Sequence, residues 1–485
     1  MPLSLHLRSA IDQARLLRSG KISARELLDL AWTQIEKHNS SLNAVIVSDI
    51  ARARKAAVAS DRRLKAGTPK GIFDGVPMTI KESFDWTGTP TTWGDPRFAG
   101  NIAGSDAVAL TRLTDAGAII LGKTNVPLML SDWQSFNAIY GTTNNPWDKA
   151  RSPGGSSGGS AVALATGMSA LEVGSDIGAS IRNPAHYCGV YGHKPTYGIV
   201  PMRGQFLPGI VSPSDISVAG PMARSARDLT AMLKLLAGPD GVEARALRLN
   251  LPSASQTSLK DFRVAVMLND PVSEVDQPVQ DLIGKLAQFL AKRVKRLSMT
   301  ARPQFSTREA MDIYIRLLRS ATSRRLNDQD FAANRKLAED FAAEDNSYFA
   351  QMTRANVLPH RSWLLANERR HQMRLLWDQF FADWDVLICP AAASAAFPHD
   401  QKGERHERTI TVNGRQVPTT DQLFWAGYSG GFYLPSTVAP MGLTPEGLPA
   451  GIQIITKQYG DLTTLRFAEL LEREYHGFVP PPGSF

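Results

Sequence analysis

Short apolar runs that read as β-strands alternate along this chain with amphipathic stretches that read as helices, and that alternation points to layered α/β architecture. Residues 43–47 are the first such run, and residues 49–65, rich in Ala, Arg and Lys, are the helix that follows. Residues 75–80 read as a strand, residues 106–116 as a helix and residues 118–121 as a further strand. Ahead of them Ser23 and Glu26 have the spacing of a capping box, with Leu27, Leu28, Leu30, Ala31 and Ile35 on one helical face. Strand patterns return at residues 386–388 and 451–455, so the C-terminal part is expected to rejoin the first sheet. Residues 281–377 differ: helical runs at 311–319 and 362–377 and few strand signals predict a helical insertion or lid.

The chain has 485 residues, enough for one large α/β body or several ordinary domains at about 100–200 residues each. With 43% hydrophobic and 21% charged residues it is too apolar for a disordered chain, and no repeat marks it as collagen or coiled coil. The formal charge of +8 raises the question of an anionic partner. Residues 285–374, however, hold 18 Lys and Arg against 9 Asp and Glu, which leaves the rest of the chain close to neutral. The excess is therefore expected to be the solvated face of the helical segment, with neither nucleic acid nor a membrane as partner. Two cysteines, Cys188 and Cys389, form no ligand pattern and no disulfide framework, which suits a reducing compartment. The N-terminus reaches Arg8 too early for a signal-peptide apolar region, and no stretch approaches the roughly 18 apolar residues of a membrane span. A cytoplasmic protein is the expectation.

Residues 151–160, Arg-Ser-Pro-Gly-Gly-Ser-Ser-Gly-Gly-Ser, form the densest small-residue segment. Alone it reads as a flexible linker. A phosphate cradle is disfavoured because neither GxxxxGK[ST] nor GxGxxG occurs there. A catalytic loop is the third reading, and distant residues favour it. A second glycine-serine element spans residues 174–184 and carries Ser180, while Lys81 closes the apolar strand of residues 75–80.

Taken together, these elements resemble the amidase signature family. The resemblance also covers Gly122 to Asn125, Gly141 to Trp147, Gly192 to Thr196, Gly220 to Arg224 and Gly447 to Gln453, in the family's order. It implies a single α/β/α layered domain over residues 1–485 with a central mixed, twisted sheet covered by helices. Its parts would be an N-terminal helical region (1–70), a catalytic core (71–280), the variable helical insertion or lid (281–380) and C-terminal strands and helix (381–485). Carried over, Ser180 would be the nucleophile, Ser156 a bridging serine after a cis peptide bond from Gly155, and Lys81 the base. The backbone N–H groups of Ile177, Gly178, Ala179 and Ser180 would form the oxyanion hole. Ala179 stands where the family usually has glycine.

The chemistry agrees with that assignment. A serine hydroxyl needs an adjacent base, and a lysine can be one only if burial depresses its ordinary pKa near 10.4. The nine histidines offer no convincing Ser/His/Asp arrangement, and His186 and His193 read as packed or surface side chains. Asp176 and Arg182 read as a structural ion pair. Amide hydrolysis by a stand-alone enzyme, a monomer or homodimer, is the first expectation. The alternatives are the glutaminase subunit of a tRNA-dependent amidotransferase, and an esterase or carbamate hydrolase on the same machinery. Leu130, Ser131 and Trp133 are expected near a small-molecule amide substrate. Tyr314, Trp425 and Phe432 would favour an apolar or aryl group in it. No metal or organic cofactor is implied.

Overall fold

In a computed structural model, which describes residues 3–483, one eleven-stranded sheet organises the chain. Its strands run in the order Val45–Ser48, Ile119–Thr124, Pro77–Lys81, Leu171–Asp176, Val218–Ala223, Tyr191–Lys194, Ser436–Leu443, Pro449–Ile455, Val386–Pro390, Arg263–Val266 and Arg296–Ser298. Pro77–Lys81 pairs in parallel with both neighbours, whereas Leu171–Asp176 and Val218–Ala223 are antiparallel, so the sheet is mixed. Every residue of Pro77–Lys81, Leu171–Asp176, Val218–Ala223 and Pro449–Ile455 is buried. Strands buried on both sides require helices on both faces, the signature of α/β layering.

The C-terminal strands do rejoin the sheet, with Ser436–Leu443 against Tyr191–Lys194. The capping box at Ser23 is present: Ser23 Oγ accepts from the Glu26 N–H at 3.1 Å, and Glu26 Oε2 accepts from the Ser23 N–H at 2.8 Å. Within the stretch read as helical, Arg296–Ser298 is an edge strand; at three residues it is too short to show a period. Helices follow it at Thr307–Thr322, Asp328–Asp340, Tyr348–Asn356 and His360–Asp383. No helix among the described residues is long and apolar enough to cross a membrane.

Two features of the fold position the site. Lys81 is the last residue of its strand and Asp176 the last residue of the neighbouring strand, the two being joined by the pairing of Met78 with Leu171. The helix Gly158–Ala165 starts directly after the glycine-serine loop and packs on both strands. Glycine is required at its start, because a Cβ on Gly159 would lie 2.4 Å from the Asn125 nitrogen. The same holds at Gly155, where a Cβ would fall 2.3 Å from the Asp132 carbonyl oxygen.

Candidate active site

The strand ends and the two glycine-serine elements meet at Lys81. Its Nζ donates to Ser156 Oγ at 2.7 Å and to Ser175 Oγ at 3.0 Å, with no surface open to solvent. Burial lowers its pKa from 10.5 to about 7, against the opposing pull of Asp176 and Glu172. Glu172, also buried, accepts from Thr79 Oγ1 at 2.6 Å and Thr124 Oγ1 at 3.1 Å, and desolvation raises its pKa to about 8. Gly155–Ser156 is a cis peptide bond. The next N–H, of Ser157, donates to the Ser180 carbonyl at 3.1 Å, so the loop bearing Ser156 is tied to the backbone of Ser180. Gln205 Nε2 donates to Ser175 Oγ at 3.1 Å and completes the surround of the lysine.

Asp176 shapes the loop that carries Ser180. Its carboxylate accepts from the N–H of Ala179 at 2.9 Å and of Ile181 at 3.0 Å. Arg182 grips it in two-point fashion, Nη2 to Oδ1 at 2.8 Å and Nε to Oδ2 at 3.0 Å, and both residues are buried. Arg182 and three loop amides hold the Asp176 carboxyl below its usual range despite burial. This is the structural ion pair expected from the sequence. It also corrects one expectation: the Ala179 N–H is engaged by Asp176 and is not offered to a substrate. The N–H groups of Ile177, Gly178 and Ser180 make no hydrogen bond among the described residues. Ala179 has φ +70°, the left-handed region that glycine occupies freely, which explains the family's usual residue there.

A cavity of about 30 Å³ opens at Ser180, walled by Leu130, Ser131, Trp133, Gly178, Leu318 and Leu423 among others. The three residues expected near substrate are thus on its wall. Trp133 is fixed there by a 2.8 Å bond from Nε1 to the Gly178 carbonyl. Tyr314 stands behind the loop, its hydroxyl donating to the Ile177 carbonyl at 2.8 Å. Trp425 and Phe432 are not part of this wall. Trp425 is fully buried with Nε1 on the Ser273 carbonyl, and Phe432 packs against Phe305 in the aromatic core. Large rings on a helix end read alike in sequence whether they face a core or a cleft. His186 and His193 are buried and pinned, the first by Gly451 and Ser394, the second by Thr437 and Asp461.

Sequence reasoning missed Ser175 and three arginines. Arg319, Arg325 and Arg405 line the same cavity, so the basic excess of the helical segment is not only a surface property. A signal for Arg319 existed: it lies at i+4 from Ile315 and i+8 from Met311, on the buried stripe of its helix. Ser175 had none, since its strand is buried throughout and shows no alternation.

The amidase family model matches residues 26–465. An acylamidase of Rhodococcus erythropolis is 32% identical over 97% of this chain and 96% of its own. An indoleacetamide hydrolase of Bradyrhizobium diazoefficiens is 31% identical over 96% of this chain and 86% of its own. Among solved structures, a bacterial aryl acylamidase of the amidase signature enzymes superposes with a TM-score of 0.80 at 27% identity, covering 97% of this chain and 96% of that one. The chain belongs to the amidase signature family of amide hydrolases.

Proposed function

We propose that this enzyme hydrolyses a small carboxylic amide through an acyl-enzyme on Ser180, with Ser156 as proton relay and Lys81 as base. The observation that carries the reading is the buried Lys81 amine, poised to be neutral near pH 7 and 2.7 Å from Ser156 Oγ. Neutral Lys81 takes the Ser156 proton as Ser156 takes that of Ser180, and Ser180 Oγ attacks the amide carbon. The oxyanion then meets the N–H groups of Ile177, Gly178 and Ser180, and losing one such donor typically costs about 10²–10³ in rate. The same relay in reverse protonates the leaving nitrogen, which cannot depart as an anion. Water, deprotonated by the same route, releases the acid. Esters and carbamates would pass through the same acyl-enzyme.

The apolar wall of Leu130, Trp133, Leu318 and Leu423 supports an apolar or aryl portion in the substrate. The two buried free thiols fit a cytoplasmic setting. The test is covalent labelling by a fluorophosphonate with hydrolysis of anilides and of glutamine as readouts. Wild type is expected to label on Ser180 and to cleave anilides without added protein, and Ser180→Ala to do neither. Labelling at another residue, or turnover of glutamine alone, would overturn the assignment.

A further inference from the structure

Three guanidinium groups converge on the cavity at Ser180, none of them in an ion pair of its own among the described residues. Arg319 belongs to the helix Thr307–Thr322, Arg325 closes the short turn Ser323–Arg325 after it, and Arg405 opens the turn Arg405–Glu407. All three line the cavity, and no carboxylate among the described residues lies within 4.0 Å of any of them. The one acid on the wall, Asp132, is paired with Arg408 at 2.5 Å and also attracts Arg405, so a single carboxylate is shared with Arg408 against three wall arginines. Buried charge without a partner is costly, and like charges held together cost more. Burial and mutual repulsion both lower the pKa of Arg319, well below the ordinary arginine value, with Arg405 and Arg325 as the repelling neighbours.

The protein itself does little to satisfy these donors. Arg325 Nη1 donates to the Met129 carbonyl at 2.8 Å and to Ser131 Oγ at 3.1 Å. Arg405 Nη2 donates to the Tyr348 hydroxyl at 3.0 Å, and Arg319 Nη2 reaches the same hydroxyl. Each guanidinium carries five N–H groups, so most remain available. The Arg319 Nε is buried with no hydrogen-bond partner at all. Arg405 also lies 5.9 Å from the centre of the Trp133 ring, which orients it beside the cavity wall. A folded chain that gathers three partly buried cations around an unfilled set of donors is built for an anion, and planar forks match a carboxylate by two-point bonding.

We infer that the substrate of this site is an amide bearing a carboxylate, held by Arg319, Arg325 and Arg405 while its carbonyl meets Ser180. The inference rests on the reading of Ser180 as nucleophile, and deepens it by naming the substrate class. An aryl or apolar body against Trp133 and Leu130 would carry the charged group into the arginines.

Two matched pairs of substrates test this with the full-length enzyme. Acetanilide against 4-acetamidobenzoate places the charge on the amine side, and butyranilide against succinanilate places it on the acyl side. In at least one pair the anionic member is expected to exceed the neutral one tenfold or more in kcat/KM at low ionic strength. That advantage should shrink with added salt. Arg325→Gln and Arg405→Gln should each reduce the anionic-to-neutral ratio at least tenfold, a change that a general loss of folded enzyme would not produce. A ratio below tenfold in both pairs for the wild type overturns the inference, with no variant needed. Failure of the Ser180 reading looks different: none of the four compounds would be turned over by wild type, and fluorophosphonate would miss Ser180.

Discussion

If Lys81 is the base, lowering the pH through neutrality should remove activity in step with its protonation. In water a lysine of pKa 10.5 is neutral in only about one molecule in 3,000 at pH 7. At about 7, where burial places Lys81, roughly half the molecules have the base ready. The gain of about 10³ in usable base corresponds to about 4 kcal/mol, using 1.36 kcal/mol per pKa unit. The free-enzyme profile, kcat/KM against pH for a neutral anilide, is therefore expected to rise tenfold per pH unit up to about 7 and to level off above it. Lys81→Met, which keeps an apolar chain of similar length in the site, should lose about 10²–10⁴ in kcat/KM and lose that rising limb as well. Stability gives an independent reading. The unfolded chain holds the Lys81 proton up to about 10.5 and the folded chain only up to about 7, so the unfolded state binds more protons between those values. Stability attributable to Lys81 therefore rises with pH from about 7 to 10.5, is at its minimum below 7, and this slope should vanish in Lys81→Met. An activity profile flat from pH 5 to 8, or a rising limb that survives Lys81→Met, would show that another group supplies the base.

Two further substitutions probe the frame around the nucleophile. Ala179→Gly relieves a left-handed backbone that costs a residue with a side chain about 1–2 kcal/mol, offset by about 0.4–1 kcal/mol of extra freedom in the unfolded chain. A small rise in Tm is expected, and a clear fall would refute the argument from backbone conformation. Asp176→Asn leaves the Arg182 guanidinium buried without its counter-charge and weakens the bonds to the Ala179 and Ile181 amides. A loss of about 3–5 kcal/mol is expected from denaturant titration, and a cost below about 1 kcal/mol would mean the pair does not hold the loop.

The elements legible in the sequence were those whose physics is local or whose spacing is fixed. The capping box at Ser23, the strand ending in Lys81 and the glycines around Ser156 each needed only near neighbours to be read. Asp176 and Arg182 sit six positions apart, close enough for their pairing to be argued from the loop between them. What stayed hidden depends on three-dimensional choice. Nothing local distinguishes Arg319, which turns into the cavity, from Arg316 three residues earlier, which is exposed, except position on a stripe whose burial is decided by distant strands. Arg405 lies in a three-residue turn with no period to reveal its direction. The competition for the Ala179 amide was likewise invisible, because it depends on where the Asp176 carboxylate comes to rest.

The cavity at Ser180 has a kinetic meaning. At about 30 Å³ it is far smaller than sites enclosing drug-sized ligands, which run to about 300–1,000 Å³. Enclosing an anilide there would require part of the wall to withdraw. The Asp176–Arg182 pair holds the Ser180 loop on one side, so any such opening would fall to the rest of the wall. Substrate capture would then be gated and slower than diffusion alone allows, and turnover could be limited by release of the acid instead of by bond cleavage.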